Sequence, residues 1–121
     1  MTYASYLIAA LATLAAAYLG LTQTLGAHPF WATQIAWIGI PIGLLAAWVL
    51  AGRSTLLRLT LFAALLIATA TAAHFGKLEF AASFAENATA GKLWYFGWIG
   101  IAASATALVA SLLQTAVSRQ S

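Results

Sequence analysis

Four apolar segments follow one another through the chain, at about residues 3–24, 31–51, 56–75 and 93–116. Each is close to the roughly 20 residues that cross the hydrocarbon of a bilayer as a helix. They exceed the ten or so residues of a barrel strand and do not alternate in polarity, so β-barrel strands are excluded. Short breaks separate the first three, "GAHPFW" and "GRST"; a longer one, "KLEFAASFAENATAGKLW" from Lys77 to Trp94, precedes the fourth.

A soluble domain keeps about a quarter of its residues charged to build a solvated surface. Here 6% of 121 residues are charged and 64% are hydrophobic, with a mean hydropathy of +0.95. The sequence therefore predicts an all-α integral membrane protein, a single domain over 1–121. The N-terminal run lacks a basic lead and is too long for the apolar core of a signal peptide, so it is expected to stay as a membrane helix. The net charge of +3 comes from isolated cations, which suit anionic lipid headgroups and not nucleic acid. There is no cysteine, hence no disulfide and no thiolate ligand.

Both carboxylates, Glu79 and Glu86, lie in the long break with Lys77 and Lys92. On a helical wheel Glu79, Ser83, Glu86 and Asn87 share one face, and Phe80, Ala81, Phe84 and Ala85 cover most of the rest. This predicts an interfacial amphipathic helix at about 77–88, between the third and fourth spans. Glu79 and Glu86, two turns apart, are also a candidate cation site or docking point. Asn87-Ala88-Thr89 matches a glycosylation sequon, a motif frequent by chance in a composition that reads as bacterial.

Arg53, Arg58 and Arg119 flank one side of the four spans, and Lys77 and Lys92 the other. The bias predicts cytoplasmic termini and a periplasmic 76–92 loop in a bacterial inner membrane. Small residues recur every fourth position in Ala12, Ala16 and Gly20, in Gly39, Gly43 and Ala47, and in Ala64, Ala68 and Ala72, and on neighbouring turns in Gly97, Gly100 and Ser104. Such seams let helices approach closely within a bundle or between chains, with Gly39 and Gly43 the candidate contact to another chain. Pro41 in the same segment should kink it. Phe80, Phe84, Trp94 and Trp98 are the further candidate interface residues.

No ionisable side chain is expected at mid-span, where proton-coupled pumps place carboxylates or histidines. Tyr18 and Thr13 occupy the first segment, where small multidrug-resistance transporters of this size carry a carboxylate. His28, before Pro29, and His74 fall at the same end of the bundle. They are candidate haem or metal ligands, with Glu79 as a third metal ligand. Ser83, Ser104 and Ser111 have no base and acid to complete a nucleophilic triad, and no phosphate loop or dinucleotide fingerprint is present. The function expected is that of a small accessory subunit of a larger membrane complex, without intrinsic catalysis or cofactor, with lipids and other subunits as partners. The alternative is a homo-oligomeric transporter or channel, its path running past Gln23, Thr33, Gln34 and Pro41. A third class is an electron-transfer subunit built on His28 and His74.

Overall fold

The structure is a computed structural model that describes the backbone of residues 2–120 and the side chains of residues 3–116. Arg119, used above in the charge balance, has its side chain outside the described residues. Among the described residues there are five helices and no strand: α1 Thr2–Tyr18, α2 Leu21–Leu25, α3 Gln34–Val49, α4 Thr55–Ala82 and α5 Ala88–Gln120. Two of them, α4 and α5, are long and apolar enough to cross a membrane; α1 and α3 have 17 and 16 residues.

The first apolar run is two helices, not one. Gly20 stands at φ +87, a left-handed conformation that suits a residue without Cβ, and its N–H closes onto the Ala17 carbonyl at 3.2 Å. No side chain packs on it, so Gly20 ends α1 and does not extend the Ala12/Ala16 seam. The chain then passes through α2 and turns 27–33 into α3, which runs through Pro41 without ending.

The separate interfacial helix expected over 77–88 is not formed. Residues 77–82 are the last turns of α4, and 83–87 make a tight turn. Nothing from Phe75 to Ala82 stops a helix; Gly76 only weakens one, by about 1 kcal/mol. The stop comes from Ser83 and Asn87. The Ser83 hydroxyl donates to the Phe80 carbonyl at 2.9 Å and accepts from Asn87 N–H at 2.9 Å. Asn87 Oδ1 accepts from Ala90 N–H at 3.0 Å and so caps the start of α5. Between them Phe84 and Ala85 take φ of +56 and +67.

Helix α5 is the axis: α1, α3 and α4 all pack on it, and α1 also packs on α3. The partners alternate in direction. Thr13 meets Thr106 from α1, Gly39 meets Ala102 from α3, and Ala73 meets Gly97 from α4. The core has two main layers. Near the 83–87 turn, the hairpin end, it holds Ala27, Ile35, Ala73, Trp94, Trp98 and Ala102. Towards the chain termini it holds Ala9, Ala47, Phe62, Ala107 and Ala110.

The small residues explain how close the helices come. A Cβ on Gly39 would lie 2.6 Å from that of Ala102, and one on Gly43 would meet the Ala103 carbonyl oxygen. The Gly39/Gly43 seam is thus filled by α5 of the same chain, the first of the two packings that its small residues allow.

Candidate functional site

Chemistry-bearing side chains gather at the two ends of α5. At the hairpin end Trp94 is central. Its Nε1 donates to the Gly26 carbonyl at 3.0 Å, fixing the ring across the top of the core. Trp31 meets it edge-on at 5.2 Å, His28 edge-on at 5.5 Å and Phe80 tilted at 5.8 Å. Tyr95 adds an edge contact to Trp31 at 5.2 Å. These rings line an open cavity of about 360 Å³ with Phe30 and Lys92 at its rim. Centroid separations of this order are those at which ring edges and faces attract.

Both histidines lie at this end, each in the wall of a different cavity. His28 lines the aromatic cavity; His74 lines a second one of about 350 Å³ with Leu25, Leu66 and Lys77, and Trp94 is in the wall of both. His28 Nδ1 accepts from Phe30 N–H at 3.0 Å. A neutral imidazole has one acceptor nitrogen, so this bond occupies the lone pair that a metal would need. Glu79 is exposed, and five residues along α4 turn it about 140° from His74. Among the described residues no three potential ligand side chains cluster, so the set His28, His74 and Glu79 is not assembled. Glu86 lies in the turn and Glu79 on the helix, and the single helical face expected to carry both is absent.

The expected interface residues separate into three kinds. Trp94 and Trp98 are 8% and 6% exposed and belong to the chain's own core. Phe80 is half-buried under Gly91 and against Trp94. Phe84 is 91% exposed, held out by the left-handed turn. Of the transporter path, Gln23, Gln34 and Pro41 lie on the surface and only Thr33 is half-buried. Ser104 turns its hydroxyl back to the Gly100 carbonyl at 2.6 Å.

At the other end lies a residue that depth alone did not single out. Arg58, one turn into α4, is 7% exposed. Its Nη1 donates to Gln114 Oε1 at 3.0 Å and its Nη2 to Thr55 Oγ1 at 3.4 Å, while Nε has no partner among the described residues. Buried Ser111 Oγ on α5 and Tyr6 OH on α1 are likewise unpaired. A buried guanidinium held only by neutral groups keeps much of its desolvation cost. Its burial was readable in one respect: Arg58 and Phe62 are four residues apart and share a helix face.

No family model, curated protein or solved structure matches the chain.

Proposed function

We propose that the chain is a small non-catalytic membrane subunit that presents α4 to a larger complex in a bacterial inner membrane. The observation carrying this reading is the two-faced character of α4. Only 17% of its apolar stretch is buried, against 50% in α5. Its packed stripe is Arg58, Phe62, Ala73 and Gly76. Counting 100° per residue, Thr60, Ala64, Ile67 and Thr71 fall on the opposite side, and all four are exposed. The Thr71 hydroxyl is turned back to the Ile67 carbonyl at 2.8 Å, which leaves its methyl outermost. Of the seam Ala64, Ala68 and Ala72, Ala64 lies on this bare side and exposed Ala68 at its edge, and close approach along small residues is how membrane helices associate. Four spans with cytoplasmic termini, the short α1 and α3 included, belong to the same proposal.

The test is a mild-detergent pull-down at native levels with mass spectrometry, on wild type and on Ala64→Leu/Ala68→Leu. A stoichiometric set of other membrane proteins, lost in the double variant, is the expected result. Recovery of the chain only as copies of itself, with solute flux in liposomes, would replace the subunit reading by the transporter.

A further inference from the structure

Helices α1 and α4 both pack on α5, and two adjoining cavities form a groove along it, one walled by α4 and the other by α1. The His74 cavity of about 350 Å³ and a second one of about 230 Å³ share Leu25, Trp98 and Ile101. Their α5 lining extends from Trp94 to Val109, a rise of about 22 Å at 1.5 Å per residue. One leaflet of hydrocarbon is about 15 Å deep. The groove is therefore longer than one leaflet is deep and shorter than the roughly 30 Å that a crossing helix covers.

The lining is almost wholly hydrocarbon. Its two threonine hydroxyls are already engaged: Thr13 lies 2.7 Å from Thr106 Oγ1, and Thr22 donates to the Ala32 carbonyl at 3.3 Å. The groove offers few free polar groups to orient a small polar molecule, whereas an alkyl chain needs none. The mouth differs. His74 and Lys77, three residues apart on α4, both line it and are both exposed. Lys77 Nζ folds over Gly26, 3.5 Å from where a Cβ would stand. No carboxylate lines the mouth, and Glu79 points about 160° away from Lys77 around α4.

From this pairing of a cationic mouth with an apolar groove along α5 we infer that the chain holds one anionic phospholipid. Its phosphodiester meets Lys77 and His74, and one acyl chain lies along α5 between Trp98 and Ala105. The inference rests on the membrane reading above, not on the subunit role.

Native mass spectrometry of the full chain in mild detergent tests it, with phosphatidylglycerol and phosphatidylcholine of identical chains as probes. One retained phosphatidylglycerol is expected, preferred about fivefold over phosphatidylcholine, the worth of one lysine near an anionic headgroup. Lys77→Gln, at an exposed position, should remove the preference, and Ala12→Phe should lower retention of both lipids by filling the groove. Equal retention of the two lipids by wild type would overturn the inference. So would undiminished preference in Lys77→Gln, or displacement of the lipid by glycerol phosphate alone. Carbonate extraction of wild type reads the membrane reading separately. Release from the membrane overturns both, and resistance with unaltered lipid preference in Lys77→Gln overturns only the lipid site.

Discussion

Helices α4 and α5 form one antiparallel hairpin, share an alanine-rich composition, and use it in opposite ways. In α5 the small residues face inward on several sides: Ala102 and Ala103 receive α3, Gly97 and Gly100 receive α4, and Thr106 meets α1. In α4 one stripe is packed and the opposite one is bare. Small residues in a membrane-type sequence thus mark where backbones can approach, not which backbone arrives. The difference between the two helices is one of position: α5 has a neighbour on three sides, α4 on one.

The sharpest way to break this contrast is to fill a seam on each side. Gly43→Leu drives four carbons into the α5 backbone and should cost about 3 kcal/mol or more. The same leucine at exposed Ala64 should change stability by less than about 0.5 kcal/mol. Unfolding of both variants in matched micelles checks the pair, and equal losses would mean that α4 is covered on both faces. A smaller effect is expected at Arg58. Arg58→Ala leaves a void and strips Gln114 of its donor, for a loss of about 2 kcal/mol. Arg58→Met fills most of the same space without a charge and should stay within about 1 kcal/mol of wild type. If methionine proves as damaging as alanine in the same melts, the guanidinium has an opposing charge in the native setting. Smallest is Thr13→Val, which removes the hydroxyl pair linking α1 to α5. An interhelical bond of this kind contributes about 0.6 kcal/mol, and a loss several times larger would make α1 the keystone of the bundle in place of α5.

How far the sequence could be read follows from what each signal measures. Hydropathy measures stretches of chain, so helices separated by short polar breaks were legible, and the all-helical class with them. It does not report where a helix stops when no strong breaker is present. Residues 77–82 therefore looked like a new element when they continue α4, whose end depends on hydrogen bonds of Ser83 and Asn87. Gly20 was read for its size when its φ mattered more. Rotation about the helix axis was the larger gap. Depth alone put Arg58 at a boundary and both histidines at one end. Only the packing turned Arg58 inward and placed Trp94 in the wall of both histidine cavities. The Gly39/Gly43 seam was legible as a seam, and its partner was not, because α5 offers the same kind of surface as a second chain would.

The unequal helix lengths carry a consequence of their own. From Thr55 to Gly76, before its first charged residue after Arg58, α4 runs 22 residues, about 33 Å of helix. The 16 residues of α3 reach only about 24 Å. In a bilayer such a molecule is a wedge in height, tall along α4 and low along α1 and α3. Lipid beside the low side must thin to meet it, and lipid beside α4 need not. The membrane itself then distinguishes the two flanks: a neighbour of full height relieves no deformation at α4, and a short one relieves most of it at α3.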